Sequence, residues 1–223
     1  MAKKPSILIA IPHTGNTVTG LERKLCKWFD ESGYDGEFYF SQMNPTYSNR
    51  NSICKYFLKK TNHTHLLFID SDTVPFDNPF NLVKRDKPVV GGVYPMWKID
   101  HFEWLAMVKR PDGQFRTTPE RKGLVEVEGL GAGCMLIKRE VFKGIKAPFA
   151  DLVREDGTRS VGHDYAFCQK VRKKGFKVYA DWEVLCDHVK LVPLMTVVKA
   201  LKKSYDEGIK IGKKQGDLTE DIL

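Results

Sequence analysis

Long apolar runs and paired cysteines are both missing from this sequence. Near the amino terminus only the six residues 7–12 are apolar in a row, whereas a bilayer span needs roughly 20 and a signal peptide also needs more. We therefore expect no transmembrane segment and a soluble or peripheral protein. The five cysteines are scattered and lack a Cys-x-x-Cys pair, which argues against a disulfide framework or structural zinc and predicts a reducing, cytoplasmic location.

The classical glycine-rich nucleotide motifs are also missing. Residues 129–133 read Gly-Leu-Gly-Ala-Gly, without the spacing of the dinucleotide fingerprint and without a following Walker lysine. This segment could let a substrate approach the backbone closely, or it could form an ordinary bulge before a strand.

Acidic residues are outnumbered by basic ones. The chain carries 36 Lys and Arg against 28 Asp and Glu, a net charge of +8, which predicts a polyanionic partner such as a nucleotide diphosphate, nucleic acid or an anionic membrane surface. At 223 residues with 42% hydrophobic content, a single domain is the default. We expect it to span residues 1–190, with a basic amphipathic helix and tail over 191–223 packed on the same domain.

Apolar periodicity predicts an α/β protein with a central, mostly parallel sheet flanked by helices. A hairpin with a turn at 111–113 and a loop over 150–161 are expected between the later elements. Either Ser48 or Asn49 is expected to cap the second helix. The predicted strands cover residues 6–11, 37–40, 66–69, 88–94, 134–137 and 177–180, and the predicted helices cover 21–32, 47–60, 163–174 and 194–205.

The most informative feature is an apolar strand that stops at Asp70-Ser71-Asp72. The carboxyl ends of parallel strands form the edge where open α/β sheets bind ligands. A carboxylate pair there suits a hard divalent cation that keeps positions open for phosphate oxygens. The alternative is a solvated acidic turn.

Three other residues have the chemistry to join that pair. Arg50 opens a helix and could contact an anion together with the helix N–H groups, or be a surface arginine. Asp164, in the first turn of another helix, could be a general base or a capping residue. His188 follows the last predicted strand and could complete a metal shell or be structural.

Taken in order, these landmarks resemble a glycosyltransferase of the GT-A fold, a Rossmann-like nucleotide-sugar-binding fold, and are closest to the family 2 type. The resemblance covers roughly residues 6 to 190. It rests on strand one ending at Pro12, Asn49-Arg50-Asn51, Phe68-Ile-Asp-Ser-Asp72, Gly-Leu-Gly-Ala-Gly before Cys134, Gly162-His163-Asp164, a segment ending at Asp181, and His188.

The resemblance implies transfer of a sugar from a nucleotide-diphosphate sugar to an acceptor hydroxyl with Mn²⁺ or Mg²⁺. Asp72 would bind the cation with His188 as a further ligand. Asp70 would lie near the ribose or the metal, and Arg50 would face the phosphates. The residues expected to border the nucleotide are Pro12, Thr14 and Gln42.

Asp164 matches the aspartate that acts as base in inverting members of the family. His163 precedes it where the family has glutamate, which leaves the acceptor contact open. An inverting reaction is the expectation, with retention as the alternative because the sequence does not show which face the acceptor takes. The acceptor class (glycan, lipid-linked, protein or nucleic acid) is also left open.

Two other functions compete with glycosyl transfer. A nucleotidyltransferase also uses carboxylate-bound metal on a nucleotide-binding sheet, although no basic glycine-rich triphosphate loop follows strand one. A non-catalytic module that binds nucleic acid or an anionic membrane would account for the charge and for the lysines of the last helix.

Overall fold

The computed structural model describes residues 4–98 and 101–215. A 3₁₀ turn at Arg139–Phe142 accompanies five α-helices in this part of the chain. The helices are α1 (Leu21–Ser32), α2 (Thr46–Lys60), α3 (Asn81–Lys84), α4 (His163–Lys173) and α5 (Leu194–Gln215). The strands are β1 (Ser6–His13), β2 (Asp35–Gln42), β3 (His65–Ile69), β4 (Thr73–Pro75), β5 (Val89–Val93), β6 (Pro95–Trp97), β7 (Phe102–Trp104), β8 (Ala106–Lys109), β9 (Phe115–Thr117), β10 (Leu124–Val127), β11 (Gly129–Leu130), β12 (Cys134–Lys138), β13 (Leu152–Val153), β14 (Arg159–Val161) and β15 (Val178–His188).

The central sheet has the strand order β10-β15-β5-β12-β3-β1-β2, and β4 pairs with β15 beside this path. Strands β1, β2, β3, β5 and β15 run in one direction, while β4, β10 and β12 run in the other. The sheet is therefore mixed and mostly parallel, and the predicted parallel arrangement of the first three strands is confirmed.

Strand β3 lies inside the sheet, between β1 and β12, and all five of its residues are buried. This position explains its unbroken apolar run, since neither face of the strand meets water. Helices α2 and α4 contribute Phe57 and Phe167 to the apolar cluster that covers one face. On α1, Phe29 packs against Phe38 of β2 and against Phe80.

Contacts divide the chain into two compact units. The first comprises residues up to 95 together with 104–189, and holds the central sheet. The second comprises residues 96–103 and the chain from 190 onward, and holds α5. The predicted packing of residues 191–223 on the main domain stays a prediction, and residues 216–223 lie outside the described part. None of the described helices has the length and apolarity needed to cross a membrane.

The prediction that Ser48 or Asn49 caps the start of α2 is wrong. Pro45 occupies the N-cap position, and no side chain caps the helix there. Asn49 lies inside the first turns and turns toward the sheet, where its Nδ2 donates to the Ser41 carbonyl oxygen at 2.7 Å. This hydrogen bond ties α2 to the end of β2.

The last strand is much longer than predicted, because it runs to His188 instead of ending at residue 180. Its register shifts after Asp181, and its far end then pairs with β4. A partner strand of three residues is too short to be recognised from sequence. The expected loop over 150–161 contains the short β13–β14 ribbon, and the hairpin with its turn at 111–113 is confirmed as β8–β9.

Candidate active site

The turn after β3 presents Asp70 and Asp72 at the carboxyl edge of the sheet. The Asp70 backbone N–H donates to the Gly133 carbonyl at 2.9 Å, and the Thr73 N–H donates to the Asp70 carbonyl at 3.0 Å. The loop after β1 supports the same turn, since the Val18 N–H donates to the Ser71 carbonyl at 2.8 Å. The acidic turn is thus held by backbone hydrogen bonds from two directions.

Arg50 lies beneath these carboxylates, with only 1% of its surface exposed. Its Nη2 donates to Asp70 Oδ2 at 2.7 Å, and its Nε lies 3.5 Å from Asp164 Oδ1. The guanidinium also lies over the rings of Phe68 and Phe149, at 5.0 and 5.7 Å. Arg50 is therefore the shared counter-ion of Asp70 and Asp164, while the expected contact with phosphates stays a prediction.

Burial and neighbouring charges both shift the pKa values of Arg50 and Asp70. Burial acts to lower the pKa of Arg50, but Asp70 and Asp164 outweigh it, so the pKa lies above its ordinary value. Burial raises the pKa of Asp70, and the charges of Asp164 and Asp72 add to this effect while Arg50 opposes it. Asp70 and Asp164 share the single guanidinium of Arg50, and Asp72 adds a third carboxylate beside Asp70. A bound cation would balance the excess negative charge.

Asp164 is held at the start of α4 by several groups. Its Oδ2 accepts a hydrogen bond from the Ala132 backbone N–H at 3.1 Å. His163 Nε2 lies 3.2 Å from Asp164 Oδ1, and the other ring nitrogen lies 3.7 Å from Asp151 Oδ1. The expected base and its non-family neighbour His163 are therefore in contact, and His163 links Asp164 to the segment that leads into β13.

His188 reaches the acidic turn because β15 extends as far as β4. Its Nε2 lies 3.6 Å from Asp72 Oδ2, and its Nδ1 lies 3.2 Å from the Pro95 carbonyl oxygen. Because a carbonyl oxygen can only accept, a hydrogen bond at this contact requires the proton on Nδ1, which would leave Nε2 with a lone pair to offer on the side of Asp72.

This donor set fits a divalent cation. An imidazole nitrogen whose other nitrogen donates to a carbonyl is the usual arrangement of a histidine ligand, and two ligand bonds of about 2.1 Å can span the gap to Asp72. Within residues 4–98 and 101–215, no three His, Cys, Asp or Glu side chains are grouped to hold a metal. A cation held by Asp72 and His188 would take its remaining ligands from the substrate or from water.

The residues expected to border the nucleotide lie at the ends of β1 and β2. Pro12 is buried in β1, while Thr14 and Gln42 are exposed. Gln42 pairs with His13 across the two strands. Asn49, next to Arg50, also donates to the Met43 carbonyl at 3.4 Å, so α2 connects these strand ends to the Arg50 group.

Tyr94 and Thr73 are site residues that the sequence did not reveal. A Cβ on Gly131 would lie 2.3 Å from the Tyr94 hydroxyl, and one on Gly133 would lie 2.6 Å from Thr73 Oγ1. The Tyr94 hydroxyl accepts from the Gly133 N–H at 2.9 Å. Gly131 and Gly133 therefore leave room for Tyr94 and Thr73. The sequence signal for Tyr94 was an aromatic residue directly after the buried strand β5.

No protein-family model and no curated protein sequence matches the chain. Solved structures do resemble it. The crystal structure of A197 from STIV has a TM-score of 0.59 at 21% identity, over 83% of this chain and 86% of that chain. The structure of GalNAc-T7 with UDP, GalNAc and Mn²⁺ has a TM-score of 0.50 at 10% identity, over 85% of this chain and 44% of that chain.

These similarities concern the fold. They confirm the expected GT-A-type α/β fold, with its central, mostly parallel sheet flanked by helices. The assignment to family 2 stays a prediction.

Proposed function

We propose that this chain is a metal-dependent glycosyltransferase that moves a sugar from a nucleotide-diphosphate sugar to an acceptor hydroxyl. One observation carries the proposal. The acidic turn, Arg50, Asp164 and His188 come from four distant parts of the sequence, and the fold links them by contacts of 2.7–3.6 Å at one edge of the sheet. The similarity to a structure that holds UDP, a sugar and Mn²⁺ supports this choice of substrate.

Asp72 and His188 would hold Mn²⁺ or Mg²⁺. When bound, the cation would neutralise the charge that develops on the departing nucleoside diphosphate. Asp70 would keep its place through Arg50 and contribute its second oxygen toward the metal or the ribose. That oxygen, Oδ1, is buried and accepts no hydrogen bond from the described residues.

Asp164 would accept the proton of the acceptor hydroxyl. As the hydroxyl oxygen forms its bond to the anomeric carbon, the bond from that carbon to the phosphate oxygen breaks, and the nucleoside diphosphate leaves with the electron pair. Attack from the face opposite the leaving group inverts the configuration. We assign the proton to Asp164 Oδ1, because Oδ2 accepts the Ala132 N–H while Oδ1 accepts no hydrogen bond from the described residues. The charged neighbours of Oδ1 are Arg50 Nε at 3.5 Å and His163 Nε2 at 3.2 Å.

Thr14 and Gln42 would contact the base and ribose, with buried Pro12 supporting the loop that carries Thr14. The strand ends that present them are joined by the backbone hydrogen bond from the Met43 N–H to the His13 carbonyl at 3.4 Å. Both side chains are exposed at the same edge as Asp70, which is where a nucleotide attached to the diphosphate would extend.

A panel of nucleotide sugars, incubated with Mn²⁺ or with EDTA, tests the proposal. We expect at least one donor to be hydrolysed slowly, or transferred to an added acceptor, with release of a nucleoside diphosphate only when metal is present. Pyrophosphate release from a nucleoside triphosphate and a sugar phosphate would instead identify a nucleotidyltransferase. Salt-sensitive nucleic-acid binding with no donor turnover would identify a binding module.

A further inference from the structure

Helix α5 presents a row of apolar side chains to solvent. Leu194, Val198, Leu201 and Tyr205 are 81%, 52%, 62% and 70% exposed. We call these four residues the α5 stripe. A contiguous row of large apolar side chains is unusual on a water-exposed helix. Such a patch is typical of a surface that binds a membrane or another protein.

The spacing of the stripe makes it continuous. Its members are separated by four, three and four residues, so at 100° per residue they fall within an arc of roughly 60°. Ala200, which projects from another side of the helix, is buried. The four residues of the α5 stripe therefore lie on an exposed side of the helix.

Lysines accompany the stripe. Between positions 190 and 215 the sequence has seven lysines and two acidic residues. Lys199 and Lys202 are exposed, and both project from the same flank of the stripe by helical geometry. Long basic side chains beside an apolar arc can reach anionic headgroups while the arc enters the acyl boundary.

We propose that α5 is an interfacial helix that binds the surface of an anionic lipid bilayer, with the α5 stripe inserted at the headgroup boundary. Charge complementarity selects this occupant. A second copy of the chain brings the same lysines, so pairing two stripes would place like charges together, whereas an anionic leaflet neutralises them. This inference is independent of the proposed activity and concerns where the protein acts.

Co-sedimentation of the full chain with vesicles tests the proposal. We expect binding to phosphatidylcholine vesicles that contain phosphatidylserine, weaker binding at high salt, and little binding to pure phosphatidylcholine. Leu194→Gln combined with Leu201→Gln should lower the partition coefficient about 100-fold, roughly tenfold for each side chain. Lys199→Gln combined with Lys202→Gln should lower it about 10- to 30-fold.

A matched control uses Phe76→Gln with Val153→Gln, since these exposed apolar residues (63% and 64%) lie outside α5. This control should bind vesicles as the unchanged chain does, and circular dichroism should show that all variants are folded. The proposal is overturned if the unchanged chain ignores phosphatidylserine vesicles, or if the stripe variant binds them equally well. It is also overturned if light scattering shows a dimer that the stripe substitutions dissociate while vesicle binding is absent.

Discussion

Two arginine–aspartate groups with buried members, Arg50 with Asp70 and Asp164, and Arg85 with Asp181, differ in how many of their hydrogen bonds are made. Asp181 is fully buried, and its two oxygens accept from Arg85 Nε at 2.7 Å and Nη2 at 3.0 Å. The Glu183 N–H adds a third bond to the same carboxylate at 3.2 Å. Arg85 and Asp181 therefore form a bidentate pair, with two parallel hydrogen bonds between the guanidinium and the carboxylate.

The Arg50 group is incomplete by comparison. Arg50 donates one hydrogen bond to Asp70, yet its Nε and Nη1, Asp70 Oδ1 and Asp164 Oδ1 are buried without a hydrogen-bond partner among the described residues. Buried polar atoms in native proteins are usually paired, and exceptions call for an explanation. The difference agrees with a structural role for the Arg85–Asp181 pair and with the ligand-binding role that we propose for the Arg50 group.

The largest effect is expected from Asp72→Asn. The substitution keeps the shape of the side chain but removes the anionic ligand of the proposed cation. We expect sugar transfer to fall on the order of 10⁴-fold, with the melting temperature nearly unchanged. Initial rates at saturating Mn²⁺ measure this.

Asp86→Asn is the matched control for that experiment. Asp86 is exposed and pairs with Lys138, whose strand position is beside the start of β3, at the edge opposite the acidic turn. Asparagine also tolerates its positive φ of 50°. Equal losses in both variants would show that Asp72 has no special role.

The second effect concerns the base. Asp164→Asn should lower sugar transfer by about 10²- to 10⁴-fold, because no carboxylate is left to take the proton of the attacking hydroxyl. Metal-dependent nucleotide binding should stay intact, because the substitution does not change Asp72 or His188. Parallel measurements of transfer and of nucleoside diphosphate affinity separate the two. Near-normal transfer by this variant would assign the base elsewhere.

The third effect is a loss of stability when the Arg85–Asp181 pair is broken. Arg85→Ala leaves the buried Asp181 carboxylate without its counter-ion, so the free energy of unfolding should fall by about 3–5 kcal/mol. Denaturant titration measures this loss. At a temperature where the variant is folded, its nucleotide affinity should equal that of the unchanged chain; a selective loss of affinity would erase the distinction between the two groups.

The smallest effect is a pH dependence from Asp70. Its pKa is raised in the folded chain, chiefly by burial, so the folded state binds the proton more tightly than the unfolded state. The stability from this proton is fully present below the unfolded pKa of about 3.9 and is lost as the pH rises through the folded pKa.

In Asp70→Asn this contribution is absent. The unfolding free energy of the unchanged chain, relative to the variant, should therefore decrease as the pH rises above about 4 and become constant once the pH exceeds the folded pKa. Urea titrations at stepped pH values measure the difference. If the unfolding free energy of the unchanged chain relative to Asp70→Asn instead increased with pH, the pKa of Asp70 would be lowered in the folded state, contrary to this account.

Sequence patterns were sufficient for helices α1, α2 and α4 and for strands β1, β3, β5 and β12, but not for the short strands β4 and β10 or for the length of β15. They also singled out residues with distinctive chemistry, whose roles stay predictions. The apolar run before Asp70 predicted β3, and the polar residues around Arg50 and Asp164 marked two helix starts. They could not show that Arg50 is buried, because a helix start is normally exposed. Nor could they reveal Tyr94 and Thr73, whose roles depend on glycines some 40 to 60 positions away.

Metal-dependent binding of a nucleoside diphosphate tests the central claim most directly. Melting temperatures are compared for the unchanged chain, Asp72→Asn and Asp86→Asn, with each common nucleoside diphosphate in the presence and absence of Mn²⁺. At a ligand concentration about 100 times the Kd, binding adds about 2.7 kcal/mol, or roughly 5–10 °C. The account predicts such a rise for at least one nucleotide, only with Mn²⁺, in the unchanged chain and Asp86→Asn but not in Asp72→Asn; no rise with any nucleotide, or an equal rise in Asp72→Asn, would contradict it.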